Sequence, residues 1–236
     1  MTEELFRKDA YARTCDATVV AVGDSEVILD RTVCYPEGGG QPGDQGMMTL
    51  PDGTALTIID TRKGDEGIRH VVDPESGHLP SVGDQVSVEI DWERRHKHMR
   101  MHTLLHLVCA VVEGEISGAA VGAEKSRVDF NLPDTSLDKQ ELSDELNARI
   151  EADAPVRASW ITDEELEAKP ELIKTMTVRP PMGYGHVRLM EIEGIDLQPC
   201  GGTHVASLAE IGKVRVSKIE NKGRHNRRVN VVFEDA

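Results

Sequence analysis

Over the first ninety positions the apolar residues come in short runs, often at every second place. Val86, Val88 and Ile90 alternate with polar neighbours, the period of a strand with one face buried. Runs rich in β-branched residues at 18–22, 26–29, 32–35, 56–59, 69–72 and 85–91 predict strands. Pro51-Asp-Gly53 and Lys63-Gly-Asp-Glu-Gly67 punctuate them as turns. Short strands at this spacing predict a small β-barrel.

At Trp92 the period changes. Residues 92–113 contain no Gly or Pro and predict one long helix, stopped by Gly114. Residues 126–132 predict a strand. Leu137, Leu142, Leu146 and Ile150 then keep the spacing of an amphipathic helix, ended by Pro155. Thr162-x-x-Glu165 has the form of a capping box for a short third helix. Strands at 187–192, 213–219 and 228–233 follow. Strands first and mixed elements afterwards predict an α+β protein of two domains, a β-barrel at 1–91 and an α+β domain at 92–236.

A chain of 236 residues with 39% hydrophobic residues can bury a substantial core. It has no apolar run of about 18 residues, so no membrane-spanning helix is expected. The opening residues carry no apolar signal region, which predicts a cytoplasmic protein. Cys15, Cys34, Cys109 and Cys200 form no Cys-x-x-Cys pair, so thiols or metal ligands are expected rather than disulfides. The net charge of −15 argues against holding nucleic acid by overall charge. Any such contact requires local basic clusters. Two exist: Arg94, Arg95, Lys97 and Arg100, and a later one of Lys213, Arg215, Lys218, Lys222, Arg224, Arg227 and Arg228.

Candidate chemistry starts with His102-Thr-Leu-Leu-His106. Residues four apart share a helix face, so two imidazoles can point at one ion. A metalloprotease has Glu directly after the first His; here that place is Thr103, which disfavours proteolysis. Cys200-Gly-Gly-Thr-His204 adds a thiolate and a third imidazole, and one sulfur with three nitrogens suits zinc. On the helix, His98 and Cys109 are spaced to compete as ligands. Tyr35-Pro-Glu-Gly-Gly-Gly-Gln-Pro-Gly-Asp44 is a third signal. Gly38, Gly39 and Gly40 permit a tight hairpin or a close backbone approach, and Gln41 can donate and accept. No lysine follows them as in a phosphate loop, so no nucleotide cofactor is expected.

Taken together, four ordered motifs resemble the AlaX family, free-standing relatives of the editing domain of alanyl-tRNA synthetase. They are the glycine-rich segment ending in Asp44, His-Met-Arg-Met-His-Thr-Leu-Leu-His at 98–106, Arg-Val-Asp-Phe at 127–130 and Cys-Gly-Gly-Thr-His at 200–204. The resemblance implies an N-terminal barrel, a C-terminal α+β editing domain and one zinc ion per chain on His102, His106, Cys200 and His204. It implies hydrolysis of mischarged tRNA-Ala, with seryl-tRNA-Ala expected first and glycyl-tRNA-Ala second. Candidates for holding the substrate are Thr103, Gln41 and Ser117; for tRNA, Arg94, Arg95, Lys97, Arg100, Lys222, Arg224, Arg227 and Arg228. Two competing readings are a zinc-containing tRNA-binding module without chemistry and a zinc hydrolase of another small ester.

Overall fold

A computed structural model describes residues 1–132, 137–175 and 185–234. The chain divides into two compact units, Met1–His96 and Lys97–Ala236, and the fold is mixed α+β. Among the described residues no helix is long and apolar enough to cross a membrane.

In the first unit six strands close a barrel: β1 (Thr14–Val22), β2 (Glu26–Leu29), β3 (Gly46–Thr49), β4 (Ala55–Lys63), β5 (Ile68–Val72) and β6 (Gln85–Ile90). Their order is β1-β2-β5-β4-β3-β6, all neighbours antiparallel, with β1 paired to β6 to complete the ring. The alternation read at Val86, Val88 and Ile90 fills the barrel, where these side chains meet Val27, Leu29, Met48, Leu56 and Ile58. Closure leaves no free sheet edge.

The strand expected at 32–35 is a correction: pairing reaches only Arg31–Thr32. The Cys34 amide donates instead to Thr32 Oγ1 at 3.0 Å and the Tyr35 amide to Asp44 Oδ2 at 2.6 Å. Side chains have taken the donors that a ladder would use. Asp44 is itself buried against the fully buried Arg95. Arg95 Nε lies 3.0 and 2.9 Å from the two carboxylate oxygens, and its outer nitrogens reach Val33 O and Ala10 O. The glycine-rich segment between is a hairpin. Gly38 and Gln41 exchange backbone hydrogen bonds at 3.0 Å, and Gly39 and Gly40 take φ of 58° and 80°. At Gly43 a Cβ would lie 2.1 Å from Thr61 O, so only glycine lets the strand approach there.

The second unit holds most of α1 (Trp92–Val111) and two sheets. Strands β7 (Glu115–Ala120), β8 (Lys125–Asn131), β12 (Val214–Asn221) and β13 (Asn226–Phe233) form one, in the order β12-β13-β8-β7. Strands β9 (Val156–Thr162), β10 (His186–Ile192) and β11 (Asp196–Pro199) form the other. Helix α2 (Lys139–Ala152) buries Leu142, Leu146 and Ile150 of the stripe its spacing predicted, while Leu137 lies before the Asp138 cap and outside the helix. The capping box forms: Thr162 accepts from the Glu165 amide and Glu165 from the Thr162 amide, starting α3 (Asp163–Glu167).

His70 on β5 tests the barrel's sensitivity to acid. It is buried, 2.7 Å from Thr32 Oγ1 and 3.0 Å from Val27 O, and burial lowers its pKa from 6.5 to about 4. Above pH 6.5 the ring is neutral folded and unfolded, so its full contribution is present. Below 6.5 the unfolded chain takes up a proton that the folded one refuses, and stability falls until about pH 4. The loss amounts to about 3 kcal/mol. Denaturant melts of His70→Asn should show a shallower decline over this window than the parent chain; equal slopes would remove His70 as the cause.

Candidate metal centre

The second half of helix α1 is enclosed: Met99, Met101, Leu104, Leu105, Leu107 and Val108 are all buried. A helix so enclosed can hold polar side chains only where they are paired. His102 and His106, one turn apart, have ring centroids 5.5 Å from each other. His204 joins them at 4.4 and 4.6 Å. Cys200 Sγ sits 3.5 Å from His102 Nε2 and 3.2 Å from His204 Nε2. One ligand atom from each of the four residues lies within 4.8 Å of every other, so the group could hold one metal ion. His98 and Cys109 are outside this group.

The surroundings prepare these atoms for an ion. Thr103 Oγ1 donates its single proton to Met99 O at 3.0 Å and lies 3.1 Å from His204 Nδ1. With its proton used, the hydroxyl can only accept from Nδ1–H, which leaves the Nε2 lone pair facing Cys200. His106 Nδ1 lies 3.2 Å from Asp196 Oδ2, fixing that ring in the same tautomer. Lys174 Nζ holds the other Asp196 oxygen at 2.6 Å, and Gln198 Nε2 donates to the first at 2.8 Å. Buried Arg188 donates to Cys200 O at 3.0 Å and Gly202 O at 2.9 Å, which holds the loop after β11.

Charge follows from this packing. Burial disfavours a thiolate at Cys200, but His102, His204 and His106 outweigh it and hold the thiol well below its ordinary value. Burial and His102 together push His204 down to about 3. At His106 burial is overcome by the Cys200 thiolate and the Asp196 carboxylate, which raise it to about 9. The deprotonated sulfur and the neutral His204 are in the states a metal requires, whereas His106 must give up a proton before it can ligate. The other thiols go the opposite way: burial pushes Cys34 and Cys109 up to about 12.

Residues 7–94 match the family described as "tRNA synthetases class II (A)", and residues 187–230 match "Threonyl and Alanyl tRNA synthetase second additional domain". The "Alanyl-tRNA editing protein AlaX-M" of Methanosarcina barkeri is 39% identical over the whole of both chains. Its namesake in Methanosarcina acetivorans is also 39% identical over the whole of both. An "Alanine--tRNA ligase" of Metallosphaera sedula is 36% identical, covering 93% of this chain and 25% of the ligase. The chain belongs to the AlaX family.

In this AlaX-family chain the remaining candidate residues are scattered. Gln41 is fully buried in the barrel unit. Ser117 is exposed on β7, where the ladder bulges, and donates to Asp129 O at 3.1 Å. Of the first basic cluster, Arg95 is buried on Asp44 and so reaches no phosphate. Arg94 donates to Gly43 O, Lys97 pairs with Glu124, and Arg100 donates to Ile211 O and covers the Phe233 ring. In the second cluster Arg228 grips Asp129 through both carboxylate oxygens. Lys218, Lys222 and Arg224 are exposed at the β12–β13 end, where Lys218 and Lys222 pair with Glu220 at 2.9 and 3.4 Å. Motif spacing did not point to Asp196, Gln198, Lys174 or Arg188. A signal for the first two was present: 196, 198 and 200 share one side of a period-two strand.

Thr103→Val keeps the shape of the side chain and removes the acceptor behind His204. Loss of such an outer partner costs roughly 10- to 100-fold in metal affinity. Competition with a chromophoric chelator measures it; unchanged affinity would show that Thr103 does not orient the ring.

Proposed function

We propose that the chain hydrolyses seryl-tRNA-Ala in trans, with one zinc ion on His102, His106, Cys200 and His204. The observation that carries this is the thiolate–imidazole cluster in a chain that matches AlaX-M proteins along its full length. Zinc is favoured over other ions by softness and geometry. With Zn–S near 2.3 Å and Zn–N near 2.05 Å, a tetrahedron has a sulfur-to-nitrogen edge of about 3.5 Å. The two edges here are 3.5 and 3.2 Å.

In the reaction water adds to the ester carbonyl of the aminoacyl group and the bond to the ribose oxygen breaks. Free serine and a ribose hydroxyl result. Zinc bound at this cluster supplies polarisation of a carbonyl or a more acidic water. The chain's own part is positional. Thr103 and Asp196 fix two imidazoles, and Arg188 fixes the loop that carries the thiolate. Serine is alanine plus a hydroxyl, which a synthetic pocket rejects poorly. A second site that hydrogen-bonds the hydroxyl spares alanine, because alanine leaves buried polar groups unpaired. Glycine offers no such handle. The closed shell of four protein ligands favours a second reading, a tRNA-binding module whose zinc is structural.

Release of serine from seryl-tRNA-Ala, with alanyl-tRNA-Ala spared, is the expected result. Cys200→Ala should lose both the metal, measured by elemental analysis, and the activity. Full zinc with no hydrolysis of the seryl, glycyl or alanyl ester by the parent chain would favour the binding module.

The exposed cations at the β12–β13 end are assigned to the tRNA backbone. Lys222→Glu with Arg224→Glu should weaken tRNA-Ala binding and reduce the slope of log affinity against log salt by about one per lost phosphate contact, leaving zinc content unchanged. Unaltered binding across a salt series would mark this end as merely solvated.

A further inference from the structure

Strand β9 lies at the edge of its sheet, in the order β9-β10-β11. Trp160 on β9 is directly opposite Arg188 on β10. Arg188 in turn faces Cys200, whose amide donates to Arg188 O at 3.0 Å. Residues opposite one another in a ladder share a face, so Trp160, Arg188 and Cys200 form one row across the sheet. Gln198 and Asp196 stand on that same face, since Met190 and Ile192 oppose them two and four places from Arg188. This is the face from which His106 is held.

The far end of the row is open. Trp160 is 52% exposed, and among the described residues it is the one aromatic ring in the exposed apolar set. Two strand spacings put its backbone roughly 10 Å from that of Cys200. The residue between them is spent: Arg188 donates to Cys200 O and Gly202 O and belongs to the loop. An indole left half in water beside a site for an aminoacyl ester calls for a flat apolar partner. The base carried by the same ribose as that ester is such a partner and is within reach.

We propose that Trp160 is a stacking platform for the terminal nucleobase of the substrate. The inference rests on the tRNA-hydrolysis reading above. Stacking accepts any base face and so adds affinity without reading sequence. It holds the ribose while the cluster holds the aminoacyl end, so the contact acts in binding rather than in bond breaking.

The experiment has two arms. In the first, kcat and KM for seryl-tRNA-Ala are measured for the parent chain, Trp160→Phe and Trp160→Ala. The expected result is a KM raised roughly 5- to 100-fold in the alanine variant, kcat nearly unchanged, and recovery in the phenylalanine variant. In the second, binding of uncharged tRNA-Ala is compared with the same RNA lacking its terminal adenosine. The parent chain should prefer the complete RNA, and Trp160→Ala should bind both alike. An unchanged KM, or a variant that still prefers the complete RNA, overturns the proposal and leaves Trp160 as an edge residue or a protein contact. Zinc content and melting temperature identify a variant that has merely misfolded, in which case Trp160→Leu takes its place. A parent chain without hydrolytic activity defeats the editing reading, whereas the second arm needs no hydrolysis and still reports on the stack.

Discussion

Cys200 and His102 meet across 98 positions of chain, and the second unit is arranged so that they can. Closing a loop of that length costs entropy that grows only slowly with each added residue. The harder requirement is electrostatic: a thiolate and three imidazoles share a space from which water is largely removed. Such a group is tolerable only if its charges offset one another and every outer nitrogen is bonded. Asp196 and Thr103 supply partners for the outer nitrogens of His106 and His204, and Lys174 balances the added carboxylate. A zinc ion would complete the first.

The same accounting explains why so many charged residues outside the cluster are inward-looking. Arg95 and Asp44 are buried together in the barrel unit, and removing either would strand the other, at a cost of about 3–5 kcal/mol. Arg100 is drawn over Phe233, and Arg228 onto Asp129. A chain with net charge −15 therefore has fewer free cations than its composition suggests. At the end of the β12–β13 hairpin Arg224 is exposed while Lys218 and Lys222 share Glu220, and local potential rather than total charge decides what a polyanion meets there.

Several parts of the architecture were legible in the residues alone. Period-two runs marked the barrel strands at 26–29, 69–72 and 85–91. Uninterrupted residues after Trp92 marked the long helix, and Thr162 with Glu165 marked the cap that forms. Strands β3, β7, β9 and β11 went unread. Gly46-Met-Met-Thr49 and Glu115–Ala120 contain glycine or little β-branching, and their pairing comes from neighbours distant in sequence.

By itself the sequence determined the family and the side chains of the candidate metal cluster. His-x-x-x-His on a helix and Cys-x-x-x-His after a strand are local spacings, and local geometry follows from the period of the backbone. Only the tertiary structure decided which neighbours orient those ligands and which cations are free. Asp44, read as part of a glycine motif, and Arg95, read as a nucleic-acid contact, turn out to be each other's partners. Asp196, Lys174 and Arg188 acquire their roles from strand register and helix packing. Burial and pairing across long separations are properties of the whole packed chain, and no run of residues carries them.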